Sequence, residues 1–270
     1  MGPLEGKHIG FLGAGNMAEA LARGLLAGGV PPSLLLACDV AEPRRKVFEE
    51  ALRVRATNDQ RRLVAESDVV ILAVKPQNVS EVLAIISGPS RAKLFISICA
   101  GVSTAFIEKE LGDAPRVIRA MPNTPMLVGA GAAALARGKY SADEDLAVAR
   151  ALFETSAKVI VVKEALMDAV TAVSGSGPAY FFYLVEALAQ AGVKLGLPKD
   201  SAVALARQTA FGAGKLLVQS PDAPEELRRK VTSPGGTTFA AIAKMEEAGL
   251  KEIVIRAVEA AAARSKELGR

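Results

Sequence analysis

The sequence predicts an α/β fold: an N-terminal doubly wound parallel sheet followed by an all-α domain. Three observations carry this. Short apolar runs alternate with amphipathic stretches over the first 160 residues. One run, Asp68–Val74 (Asp-Val-Val-Ile-Leu-Ala-Val), is continuously apolar, as in a strand covered on both faces. After Lys163 strand-like runs stop and helical periodicity takes over.

The elements follow in order. Lys7–Leu12 reads as the first strand and Asn16–Ala27 as a helix. Leu34–Asp39 is the second strand, with a helix near Arg44–Leu52. Val54–Ala56 is a short third strand before a helical stretch at Gln60–Glu66. Asp68–Val74 is the fourth strand, followed by a helix near Val79–Ile86. Leu94–Cys99 and Arg116–Met121 repeat the strand signal around the helix Thr104–Leu111. Ala130–Ala136 and Val159–Val162 read as strands flanking the helix Ala142–Thr155. Such β-α-β alternation implies parallel strands with helices on both faces. Beyond it, Phe181, Leu184, Val185 and Leu188 recur at helical spacing, Leu197-Pro198 breaks the chain, and Lys199–Leu217 resumes. Pro221 to Pro224 break it again, ahead of helices at Phe239–Glu247 and Lys251–Leu268. The domain boundary is placed near residue 163, giving domains 1–163 and 164–270.

Composition narrows the function. Of 270 residues half are hydrophobic, only 4% are aromatic and none is Trp, so small aliphatic side chains build the core. The net charge of +4 is spread out. With no basic stripe interleaved with aromatics, nucleic acid is not an expected partner, and the charge suits small anions at least as well. Cys38 and Cys99 end apolar runs and read as buried free thiols of a reducing compartment. The lone His8 falls within the first strand and reads as buried and structural. One His and two Cys leave no metal site to expect. The first apolar run, Ile9–Leu12, is far too short for a signal peptide, and no stretch reaches the roughly 20 residues of a membrane helix. A soluble cytoplasmic protein is expected.

Gly13-Ala14-Gly15-Asn16-Met17-Ala18 follows the first strand and opens a helix. This is the setting of a Rossmann-type dinucleotide fingerprint. Gly13 permits the tight turn, Gly15 lets backbone approach a pyrophosphate, and Ala18 takes the third glycine's place in close helix packing. Asp39 ends the second strand about 20 residues on, where an acid bonds a ribose 2′-hydroxyl and favours NAD. Arg44 and Arg45 follow and could hold the 2′-phosphate of NADP. The two signals oppose each other, and a plainer reading has Asp39 capping a turn and the arginines in solvent.

Side chains for acid–base catalysis are few. Tyr140, Tyr180 and Tyr183 have no Lys partner at helical spacing. Lys75, in Ala73-Val74-Lys75-Pro76, falls at the ligand-facing edge of a doubly wound sheet, as a proton donor or as part of the cofactor pocket. A reaction needing little acid–base power, such as hydride addition to an imine, fits this shortage. Residues 231–240, Val-Thr-Ser-Pro-Gly-Gly-Thr-Thr-Phe-Ala, place glycines and hydroxyls ahead of a helix, an arrangement that converges donors on a small anion. Ser174-Gly175-Ser176-Gly177-Pro178-Ala179-Tyr180 is similarly permissive, for close packing or as a second wall of a pocket.

These motifs, together with Met121-Pro122-Asn123-Thr124-Pro125 and Thr232–Thr238, stand in the order of one family. From about residue 8 to 268 the chain resembles the pyrroline-5-carboxylate reductases. The resemblance implies reduction of 1-pyrroline-5-carboxylate to L-proline with NADPH, NADH being the alternative. It implies a C-terminal all-α dimerisation domain, homodimers and further assembly into decamers, with an active site between the nucleotide domain and helical elements that include the partner's. It implies cofactor contacts at Gly13, Ala14, Gly15, Asn16, Met17, Asn58, Ala73, Val74, Lys75, Pro76 and Ala100, joining Asp39 and Arg44 above. Substrate contacts are implied at Lys230, where the family varies, and at Ser233, Gly235, Gly236, Thr237 and Thr238. Thr238 matches the threonine whose hydroxyl meets the ring nitrogen and is the catalytic candidate. The β-hydroxyacid dehydrogenases share the two-domain plan but carry a lysine on the helix after their glycine-rich motif. Here Phe181, Phe182 and Tyr183 follow, and no Lys occurs until Lys194. A nucleotide-binding sensor without turnover is the rival of another class.

Overall fold

A computed structural model describes residues 2–88 and 92–269. Eight strands form one sheet: β1 Ile9–Leu12, β2 Leu35–Cys38, β3 Arg55–Thr57, β4 Val69–Leu72, β5 Leu94–Ser97, β6 Arg116–Pro122, β7 Gly131–Arg137 and β8 Ala157–Val161. Their order is β3-β2-β1-β4-β5-β6-β7-β8. The helices between them are α1 Asn16–Ala27, α2 Glu42–Lys46, α3 Gln60–Glu66, α4 Val79–Ile86, α5 Thr104–Leu111 and α6 Asp143–Glu154. β1, β2, β4 and β5 are buried at every position, the pattern of strands sandwiched by helices. One apolar cluster, with Phe11, Leu21 and Phe153, fills one face, and a second, with Leu63, Leu83 and Phe95, fills the other.

The doubly wound sheet is as expected, with one departure. β6 and β7 pair antiparallel, Ile118 opposite Arg137 and Pro122 opposite Ala133. Residues 123–130 between them hold only a 3₁₀ turn, Thr124–Val128. A parallel connection needs a dozen residues or more, so this link returns the chain as a hairpin.

The chain divides into two compact units, one of residues 1–176 with 261–270 and one of residues 177–260. Residues 164–176 thus pack with the sheet although helical periodicity begins before them. Glu164 shows why: its carboxylate accepts from the Thr104 amide at 2.7 Å and the Thr104 hydroxyl at 2.6 Å. Met167, in the short helix α7 (Met167–Val170), is fully buried beside Ala134 and Ala136. The chain's end is tied similarly, through Ser265, whose hydroxyl donates to Asp168 at 2.7 Å. Helices α8 Gly177–Lys194, α9 Lys199–Gln219, α10 Pro224–Lys230, α11 Thr237–Glu247 and most of α12 Leu250–Leu268 make the second unit. Many of its large apolar side chains stay exposed within the chain, including Phe181, Phe182, Phe211 and the periodic Leu184 and Leu188. An apolar surface of this kind marks an interaction face.

His8 departs from expectation. β1 starts at Ile9, two residues later than predicted, and the imidazole is half exposed, 3.5 Å from Asp68. It stands at the strand's N-terminal end, where the pleat no longer covers a side chain.

Cys38 and Cys99 are free and buried. Burial pushes both thiols up from 9.0 to about 11, helped at Cys38 by the Asp39 charge. A thiol with a raised folded value keeps its proton where the unfolded chain has lost it. Stability therefore falls as pH rises from about 9 and levels off near 11. For Cys99 the loss is about 3 kcal/mol. Cys99→Ala should flatten this alkaline slope, read from urea midpoints between pH 8 and 11. A slope equal to the parent's would remove the thiol as its cause.

Candidate active site

The parallel registers end level. Leu12 pairs with Cys38 and with Leu72, Cys38 with Thr57, and Leu72 with Ser97. The loops after these strands therefore leave one sheet edge together, the edge where open α/β sheets bind ligands. They carry residues 13–17, Asp39, Asn58, 73–76 and Ala100, so every nucleotide-unit candidate lies along this edge. Asn58 and Lys75 are exposed there, and Arg44 reaches back from α2.

Gly13 takes φ +98°, a conformation that favours glycine. A Cβ there would also lie 2.6 Å from the Ala73 carbonyl oxygen. Its amide donates to the Cys38 carbonyl at 2.8 Å. Gly15 begins α1 with no side-chain cap, which directs the helix's first N–H groups outward. A Cβ at Gly15 would enter open space. The side of the loop where a phosphate would approach is thus clear of protein, and the helix start offers donors and a positive dipole end to it. These residues fit a dinucleotide. Ala18 is fully buried against the core.

Asp39 and the arginines do more within the protein than the sequence suggests. The Asp39 carboxylate accepts from the Ala14 amide at 2.8 Å and from the Ala41 amide at 2.9 Å. Arg44 donates to the Ala14 carbonyl at 2.6 Å and to Glu19 at 2.9 Å. Arg45 donates to the carbonyls of Asp39 and Val40 at 2.7 and 2.9 Å. The two peptides flanking Ala14 are thus held, the Ala14 N–H by the Asp39 carboxylate and the Ala14 carbonyl by the Arg44 guanidinium. Glu19 was not legible as part of this site. Four residues from Arg23, it reads as half of an ordinary helix-surface pair.

Asn123 was also missed as a contact. Its side-chain carbonyl accepts from the Ala132 amide at 2.8 Å, and its side-chain amide donates to the Ser174 carbonyl at 3.2 Å. A Cβ on Gly175 would lie 2.5 Å from the Met121 terminal methyl. Two of the sequence motifs therefore touch, and at Gly175 the permissive loop serves close packing. The signal was present in Met121–Pro125, a motif with no chemistry legible on its own.

The remaining candidates lie in the helical unit. Lys230 ends α10 and pairs with Asp222 at 2.6 Å. Its ammonium is raised by the Asp222 hydrogen bond. Ser233 to Gly236 form a turn, closed by the Gly236 amide on the Ser233 carbonyl at 3.0 Å, with Gly235 at φ +70°. α11 starts at Thr237, two residues earlier than expected, so Thr237 and Thr238 stand in its first turn. Gly236 is its cap residue, with no side-chain cap. Capping by hydroxyls therefore does not account for this turn's composition.

Among the described residues no group of three or more His, Cys, Asp or Glu could hold a metal ion, and no helix is long and apolar enough to cross a membrane.

Comparison with known proteins meets this geometry at both ends. Residues 8–101 match the family described as NADP oxidoreductase coenzyme F420-dependent. Residues 164–268 match the one described as pyrroline-5-carboxylate reductase dimerisation. The chain is 44% identical to the pyrroline-5-carboxylate reductase of Methanosarcina acetivorans, over 99% of this chain and 100% of that one. A solved pyrroline-5-carboxylate reductase from Coxiella burnetii superposes with a TM-score of 0.90 at 39% identity, covering 98% and 99% of the two chains. The Plasmodium falciparum enzyme, solved with NADP bound, gives 0.89 at 31% identity, covering 98% and 99%. With the glycine loop at the sheet edge, the donor turn ahead of α11 and likeness over the whole length, the chain belongs to the pyrroline-5-carboxylate reductase family.

Proposed function

We propose that this protein reduces 1-pyrroline-5-carboxylate to L-proline, the last step of proline biosynthesis, with NADPH as reductant and NADH as the alternative. The observation that carries the reading is full-length likeness to reductases of that name, 44% identical in one case, in a chain that keeps both the glycine loop and the donor turn. Residues 13–17, Asp39, Arg44, Asn58, 73–76 and Ala100 would hold the cofactor. A bound nicotinamide would supply the hydride that turns the imine CH=N carbon into CH₂.

The chain's own part is binding and orientation. Backbone N–H groups of the turn Ser233–Thr237 hold the substrate carboxylate, the kind of anion that an uncapped helix start and its preceding turn accept. The Thr238 hydroxyl holds the ring nitrogen, which carries a proton in the reactive iminium and keeps it in the product amine. No strong side-chain acid is then required, consistent with a site whose chemistry is mostly positioning. Lys230 adds positive charge beside the turn.

The test follows the fall in NADPH absorbance when 1-pyrroline-5-carboxylate is added, with NADH in parallel. Proline formed in step with cofactor consumed supports the reading. No consumption of either cofactor rejects it in favour of a nucleotide sensor.

The helical unit is read as the homodimer interface, with higher assembly to a decamer. Support comes from the dimerisation match over residues 164–268 and the exposed Phe181, Phe182 and Phe211. Sedimentation should give at least twice the 28.1 kDa chain mass, and a monomer at micromolar concentration would remove this reading.

A further inference from the structure

We infer that Glu19 sets the choice of reductant: it holds the Arg44 guanidinium on the glycine loop, away from the adenosine 2′-phosphate of NADPH, and so keeps NADH usable. This rests on the catalytic reading above for its turnover assay, but not for its binding assay.

The geometry is a chain of three side chains, Arg23–Glu19–Arg44, joined to Asp39 through the Ala14 backbone. Arg44 bonds the Ala14 carbonyl through Nε at 2.6 Å and Glu19 through Nη2 at 2.9 Å. The other Glu19 oxygen accepts from Arg23 at 3.0 and 2.8 Å. Asp39 holds the preceding peptide, its Oδ2 accepting from the Ala14 amide. Glu19 is largely covered and Arg44 half-covered, with 17% and 29% of their side chains exposed, so solvent screens their attraction only in part. Partial burial alone would raise the Glu19 carboxyl. The hydrogen bonds and charges of Arg23 and Arg44 outweigh it and hold it below the usual carboxylate range. Glu19 is therefore a standing anion beside the loop.

Two features make this pair a selector and not only a brace. The ribose end of a dinucleotide comes to the acid that ends the second strand, here Asp39, whose carboxylate favours a hydroxyl and repels a phosphate. An arginine nearby is what normally offsets that repulsion. Glu19 pairs with Arg44 and also with Arg23, one carboxylate between two guanidiniums, whereas Arg45 rests on two neutral carbonyls. A 2′-phosphate must therefore compete with Glu19 for Arg44. Removing the Glu19 charge removes the competitor and leaves the Arg44 bond to Ala14 available to support the loop.

The test compares the parent, Glu19→Gln, Arg44→Gln, the double variant and Arg23→Gln. Two readouts are taken: kcat/KM with NADPH and with NADH, and equilibrium Kd for NADP⁺ and NAD⁺ by titration. Glu19→Gln should raise the preference for the phosphorylated cofactor about tenfold in both readouts, or about 1.4 kcal/mol. The double variant should show no gain over Arg44→Gln alone. Arg23→Gln leaves Glu19 on Arg44 and should not raise the ratio. Glu19→Met keeps length and helix propensity without an oxygen and should repeat the gain if the glutamine variant does not fold. Ratios within about twofold of the parent in the Glu19 variants, a gain that survives loss of Arg44, or an equal gain in Arg23→Gln would each overturn the inference. If the parent turns over neither cofactor, the catalytic reading fails, and the Kd ratio still decides the role of Glu19.

Discussion

Thr238→Ala should lower kcat about a hundredfold, the range seen when one group that orients or protonates a reacting atom is removed, while cofactor Kd stays near the parent value. The hydroxyl stands in the first turn of α11, a helix whose cap position is a glycine with no side-chain cap. Its removal should leave the helix and the Ser233–Gly236 turn intact, because that turn closes through the backbone. The loss should therefore fall on kcat, with a smaller rise in KM, since the carboxylate keeps its backbone donors. Thr238→Ser restores the hydroxyl and should recover most of the activity. Parent-like kcat in the alanine variant would remove Thr238 from the mechanism.

The second large effect is a contrast between two glycines of one loop. Gly13→Ala should cost about 3 kcal/mol of stability, a fall in Tm of roughly 6–12 °C. Its backbone lies at φ +98° and the new Cβ would meet the Ala73 carbonyl. Neither atom is the end of a flexible side chain, so the β1 and β4 loops must part. Cofactor binding should fall with it. Gly15→Ala is expected to leave Tm unchanged, because φ is −70° and the Cβ meets nothing. It should weaken the cofactor roughly ten- to a hundredfold, the loss of one hydrogen bond to a charged group. Calorimetry with and without NADP⁺ separates the two. Equal Tm losses in both variants would show that the open side of Gly15 is not where a ligand sits.

Much of the fold was legible because local rules agreed. Continuous apolar runs, a glycine loop at a strand–helix junction and helical spacing after Lys163 each point to one architecture. All eight strands lie where apolar runs predict them, with ends shifted by a residue or two. What local rules missed depends on partners far along the chain. The β6–β7 hairpin is set by a short connection between two runs that both read as ordinary strands. His8 looked buried by neighbourhood, yet a strand that begins two residues later, at Ile9, leaves it half exposed. The apolar face of Phe181, Leu184 and Leu188 predicts a helix correctly but not what covers it.

The site divides the same way. Gly13, Gly15 and Gly235 were legible because positive φ or a clear backbone approach demands glycine, a constraint written in one residue. Asp39, Arg44 and Arg45 were legible as charges, but their opposing signals were not resolvable, since hydrogen bonds across 25 and 30 residues give them their roles. Glu19 carried no signal, and Asn123 only its place in a motif whose chemistry was not legible. Their function exists only once α1 stands over the second-strand loop and Met121 lies against Gly175.

The sequence by itself determined the two-part architecture, the glycine-rich loop after β1 and the turn ahead of α11, because each follows from backbone conformation and periodicity within a short span. Only the tertiary structure decided which charges are already paired. A guanidinium and a carboxylate become partners through packing that brings distant residues within 3 Å, and no local pattern encodes that distance.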